Sequence, residues 1–84
     1  MSGTGKDDVI RQRLRAVFQA VLATDARTDE LTTDNCERWD SLNHIKLILS
    51  MEKEFGLEID TDAVDKMYSN FENCLAYVRG VVRD

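Results

Sequence analysis

A chain of 84 residues makes one domain and buries only about 60 to 65% of its unfolded surface, so its core is modest and leaves little room for an enclosed active site. Apolar residues form 43% of it, enough for a folded domain rather than a disordered tail, and with no proline its helices meet few breakers. The formal net charge of −5 opposes nucleic-acid binding, which needs a basic stripe; the acid gathers in residues 25–40 and 56–72, around a near-neutral stretch, and favours basic protein partners through steered encounter.

Residues 1–6 are small and polar and are expected to be mobile, leaving residues 7–84 as a single domain. Gly3-Thr4-Gly5-Lys6 resembles part of a phosphate-binding loop but lacks that motif's first glycine and its preceding strand, so it is set aside. Ile10, Leu14, Val17, Phe18, Val21 and Leu22 recur at helical spacing and predict an amphipathic helix over Asp7 to Ala23. Its other face carries Arg11, Arg13 and Arg15, either a recognition patch or, more commonly, a solvated face. Thr24 to Trp39 has no sustained period and is rich in Asp, Thr and Asn, which predicts a long loop anchored by Leu31, with Trp39 packed for its large apolar area. Cys36 and Cys74 are too far apart and too few for a metal cluster or a disulfide scaffold, and are expected as free thiols in a reducing cytosol.

Asp40 is a favoured helix N-cap, and Ser41 follows on the first turn. Projected at 100° per residue, Leu47, Ile48, Met51 and Phe55 form one apolar face of this second helix, while Leu42, Ile45 and Leu49 form a narrower one beginning beside Ser41. Asn43, Lys46, Ser50 and Lys53 separate the two stripes on one side and Glu52 on the other. One stripe suffices to join a core, so the second, next to a hydroxyl at a helix N-terminus, points to a modification site. A phosphate ester on Ser41 would meet the positive end of the helix dipole. Gly56 reads as the helix stop, with Leu57 and Ile59 returning to the core. Asp60 or Thr61 can cap a short helix from Asp62 to Met67; a calcium loop starting there would need glycine at Asp65 and glutamate at Phe71, so no metal site is expected. Ser69-Asn70-Phe71-Glu72 matches a capping box for a last helix whose inward stripe is Phe71, Leu75, Val78 and Val82, with Cys74 beside it as a small core residue. Nothing reads as paired strands. The expected architecture is an all-α bundle of three longer helices and one short helix, with a long loop between the first and second. No run is long enough to span a membrane, and the polar start does not resemble a signal peptide.

Trp39-Asp40-Ser41-Leu42, then Ile45 to Leu49, then Glu52-Lys53-Glu54-Phe55-Gly56-Leu57-Glu58-Ile59, resembles the acyl carrier proteins, over about Val9 to Val82. The resemblance implies a four-helix carrier domain that is not itself an enzyme. It implies that a phosphopantetheinyl transferase, using coenzyme A and Mg²⁺, attaches 4'-phosphopantetheine to Ser41, with Asp40 positioning the serine. The thiol of that arm would hold acyl intermediates as thioesters and deliver them to partner enzymes of a fatty-acid, polyketide or other specialised pathway. Leu42, Ile45, Leu49 and Glu52 match the face that the family presents to acyl-loading and acyl-transferring enzymes. The chain departs from the fatty-acid carriers at Lys46 and Lys53, where acid is usual, and at Asn43, which has no charge; this points to a specialised member. The protein is expected to be a cytoplasmic monomer with no nucleic-acid partner and no membrane insertion.

Two rival readings come from other classes. A small hydrolase would use Ser41 as nucleophile and His44, the only histidine, as base one turn away, but it lacks a glycine-rich oxyanion loop and a core large enough for a water-excluding cleft. His44 is expected instead to lie partly buried beneath the Thr24 to Trp39 loop. An unmodified helical interaction module would use the same outer stripe with no change at Ser41.

Overall fold

A computed structural model describes residues 6–23 and 27–82. The mobile start expected over residues 1–6 lies outside these except at Lys6, which opens the first helix; Thr24, Asp25 and Ala26 of the expected loop also lie outside. The described residues form four α-helices and no strand: α1 (Lys6–Leu22), α2 (Ser41–Phe55), α3 (Thr61–Met67) and α4 (Phe71–Val81).

In α1 the helical spacing turns Ile10, Leu14, Val17, Phe18 and Leu22 into the core, with Val21 at its margin. The helix stops one residue short of the expected end: Ala23 takes a left-handed φ of 50° while its N–H still reaches the Gln19 carbonyl at 2.9 Å. The three arginines are each paired with a carboxylate rather than simply solvated. Arg15 donates twice to the Asp29 carboxylate (2.6 and 2.9 Å), and Arg11 bridges Asp29 (2.7 Å) and Glu72 (2.9 Å). Arg13 binds the Glu54 carboxylate at 2.7 Å and the Glu54 carbonyl, and lies 5.0 Å over the Phe55 ring. Each arginine thus fastens α1 to another part of the chain.

Between α1 and α2 the backbone is more organised than its lack of period predicts, because a 3-10 turn (Thr28–Glu30) precedes buried Leu31. The next residues are sewn to the start of α4: the Thr33 N–H donates to Ser69 O and the Phe71 N–H to Leu31 O, both at 2.9 Å. Thr32 and Asn70 form an isolated antiparallel bridge. Asn35 and Thr32 close the turn with side-chain bonds to local N–H groups. The segment thus pairs several of its backbone polar groups with α4 and with its own side chains.

Trp39, 1% exposed, fills the centre, edge-on to Phe18 at 5.1 Å, and Phe18 in turn stands edge-on to Phe71 at 5.0 Å. Leu47, Ile48 and Met51 of α2 complete this core with Met67, Cys74, Leu75 and Val78. At the end of α2, Gly56 has φ 65° and the Leu57 N–H reaches back to Glu52 O at 3.2 Å, a Schellman closure that favours glycine. Ile59 returns to the core as expected, while Leu57 stays half-buried. The expected capping box on α4 does not form: Asn70, not Ser69, is the N-cap, its Oδ1 accepting the Asn73 N–H at 2.7 Å, and Ser69 Oγ accepts from the Asn73 side chain. Ser69 is unsuited to the cap because its own carbonyl is already held by Thr33 one residue before the helix turn.

Candidate functional site at the start of helix α2

The site begins with residues that fix the chain before it turns into α2. Trp39 is locked in the core, and its carbonyl accepts a long bond from the Tyr68 hydroxyl at 3.4 Å. The next residue, Asp40, is exposed and extended (φ −105°, ψ −176°), and its Oδ1 accepts the Asn43 N–H at 2.9 Å. The Asn43 side chain donates back to the Arg38 carbonyl at 2.6 Å, so the cap is gripped from both sides. A cap of this type contributes about 0.5–2 kcal/mol.

Ser41, the first residue of α2, is exposed. Its hydroxyl stands at the positive end of a four-turn helix, in solvent, two residues from the buried indole of Trp39. Beyond it, Leu42 (66% exposed), Ile45 (50%) and Leu49 (56%) run along the outer side of α2, opposite Leu47, Ile48 and Met51. These three are half of the exposed large hydrophobic residues among those described, which is more than scattered surface leucines require.

The charged residues expected beside this stripe differ in role. Glu52 is not an uncommitted surface acid: its Oε2 accepts the Ile59 N–H at 2.9 Å and ties the end of α2 to the segment leading into α3. Glu54, two residues on, is held by Arg13. Lys46 and Lys53 are exposed and have no carboxylate partner among the described residues. Sequence reasoning missed the Glu52 bond because an acid seven residues before an isoleucine carries no local signature.

His44 is 4% exposed. Its Nδ1 accepts from Trp39 Nε1–H at 3.1 Å, which places the ring proton on Nε2, and that group donates to the Val64 carbonyl at 2.7 Å. The ring also lies 4.8 Å from that of Tyr68. It therefore sits between Trp39, the last residue of the expected loop, and α3, and is fully rather than partly buried because the Val64 carbonyl supplies the acceptor it needs. Both ring nitrogens are engaged inward, so the Ser41–His44 pair of a hydrolase is not assembled. The histidine instead joins α2 to α3 behind the site.

Cys36 and Cys74 are both free and buried. Burial pushes the Cys74 thiol up to about 12, and its Sγ donates to Met67 O at 3.3 Å. Among the described residues no group of three His, Cys, Asp or Glu side chains could hold a metal ion, and no helix is long and apolar enough to cross a membrane. No family model matches the chain, and no curated protein matches it.

Proposed function

We propose that this chain is an acyl carrier protein, folded as an acyl-carrier-like four-helix bundle with a long connection between α1 and α2, whose Ser41 bears 4'-phosphopantetheine. The observation that carries the reading is an exposed hydroxyl on the first turn of a capped helix, contiguous with the exposed stripe Leu42, Ile45 and Leu49. The residues present suit the group. Ser41 is open to solvent for a transferase, and the positive end of the helix, where Asp40 takes the Asn43 amide, favours a phosphodiester. In the loading step Ser41 Oγ attacks the phosphorus of coenzyme A that bears the pantetheine arm, loses its proton to the transferase, and adenosine 3',5'-bisphosphate leaves; Mg²⁺ serves the transferase. Asp40 holds the helix start, and with it the serine, in one orientation through Asn43. Once attached, the arm supplies a thiol that carries acyl groups as thioesters. Leu42, Ile45 and Leu49, with Lys46 and Lys53 beside them, form the face met by acyl-loading and acyl-transferring enzymes of a specialised pathway, with the protein a monomer in the cytoplasm.

The test is covalent. With coenzyme A, Mg²⁺ and a broad-specificity transferase, the chain is expected to gain the mass of one phosphopantetheine, and Ser41→Ala none. Intact-mass spectra unchanged across several transferases would reject the carrier reading, and ester turnover by the unmodified chain would revive the hydrolase.

A further inference from the structure

A second feature of α2 lies on the side facing α1. There α1 presents Ala16 and Ala20 with Val17 and Val21, and α2 presents Lys46, Leu49, Ser50, Lys53 and Glu54. Between them lies a groove of ≈ 430 Å³ whose lining includes Lys46, Leu49 and Lys53. It shares Ala20, Ser50 and Lys53 with a second hollow of ≈ 320 Å³ that runs on toward Glu54. Leu49 belongs both to this groove and to the exposed stripe that begins beside Ser41, so the two surfaces are one. The lysines stand seven residues apart, about 10 Å along the helix, with Leu49 between them.

The chain carries −5, yet two cations line this groove, and the carboxylates next to them along α2 are bound to other groups: Glu52 accepts the Ile59 N–H and Glu54 binds Arg13. Arg11, Arg13 and Arg15 each have a carboxylate partner, whereas Lys46 and Lys53 have none among the described residues. Two ammonium groups without an ion-pair partner among the described residues, standing either side of Leu49 in a shallow open groove, are complementary to an apolar side chain flanked by two carboxylates, and they repel a basic surface. We infer that the α1–α2 groove is the docking site for an acidic segment of the partner enzyme, one that inserts an apolar side chain beside Leu49 and Ala20 and sets a carboxylate against each of Lys46 and Lys53. The enzyme's identity as an acyl-transfer partner rests on the carrier reading; the chemistry of the surface does not.

The probe is a helical peptide with a central leucine and two glutamates seven residues apart on the same face, together with its twin in which both glutamates are lysine. Each is titrated into the isotope-labelled chain, before and after loading of Ser41, and amide shifts are followed by NMR. The acidic peptide is expected to give saturable shifts centred on Ala20, Val21, Lys46, Leu49 and Lys53, and to bind about tenfold or more tightly than its twin. Lys46→Glu with Lys53→Glu is expected to reverse that preference, and Ala20→Phe, at an exposed position that it would fill into the cleft, to abolish the binding of either. Equal response to the two peptides, shifts centred elsewhere, or no saturation at millimolar peptide would overturn the inference. Failure of Ser41 to gain mass would count against the carrier reading alone, since the unloaded chain undergoes the same titration.

Discussion

At the scale of single residues, the site depends on pairing an exposed reactive group with a neighbour that is immobile. Ser41 lies in solvent while Trp39, two residues earlier, is bound by Phe18 on one side and by His44 and Tyr68 on the other. The same contrast governs the thiols. Cys74 is buried with its thiol pushed up to about 12, and Cys36 is buried as well, so neither sulfur is open to a reagent. An aromatic disulfide reagent at pH 8 is therefore expected to find no rapidly reacting thiol in the unmodified native chain, one per chain after loading, and none in Ser41→Ala treated alike. A rapid thiol in the unmodified protein would show that one of the two cysteines is far more accessible than its burial implies.

At the scale of the element, α2 serves two masters, and its two stripes are expected to respond differently to truncation. Met51 is fully buried, and Met51→Ala should cost about 2–5 kcal/mol, a large share of a small domain's stability. Ile45→Ala or Leu49→Ala removes a side chain already half or more in water, and should cost less than about 1 kcal/mol. Phe55 falls between: it is half-buried, and its ring also supports Arg13, so its loss should be smaller than that of Met51. Urea melts of the four variants decide the matter, and equal damage from inner and outer truncations would mean that α2 has no outward face. Behind the helix, the His44–Val64 bond supplies a polar tie between α2 and α3, and the Glu52–Ile59 bond a second between α2 and the connection.

At the scale of the whole molecule, an acidic chain ties its first helix down by pairing Arg11, Arg13 and Arg15 with carboxylates far along the sequence. Asp29 is the hub, and its carboxyl is held below the usual carboxylate range chiefly by the hydrogen bond from Arg15 and then by Arg11, with burial acting the other way. A carboxyl whose folded pKa is depressed contributes stability above its unfolded value, about 3.9, and loses it as pH falls through the lower folded value. Asp29→Asn should thus destabilise the protein by about 0.5–1 kcal/mol at pH 7, since the pair is partly exposed, and the deficit should shrink once pH drops below about 3.9. Melts at pH 7 and pH 3 test this; a deficit that stays constant would assign the effect to packing instead of charge.

What the sequence determined by itself is everything carried by short-range repetition and by single residues with one strong preference. The spacing of Ile10 to Leu22 placed α1 to within a residue at either end, Asp40 and Gly56 marked the limits of α2, and the two stripes of that helix were countable before any packing was known. Such signals are local because a helix closes its hydrogen bonds within four residues. The tertiary structure alone decided which charges remain available. Arg11 meets Glu72 across 61 positions and Arg13 meets Glu54 across 41, while His44 finds its acceptor 20 positions on. No periodicity encodes those meetings, since they arise only when helices have packed and each buried or half-buried polar group must be satisfied by whatever the packing brings within reach. For the same reason Lys46 and Lys53, which look paired with Glu52 and Glu54 along the chain, have no ion-pair partner among the described residues: those two carboxylates are engaged elsewhere, one by a backbone amide and the other by α1.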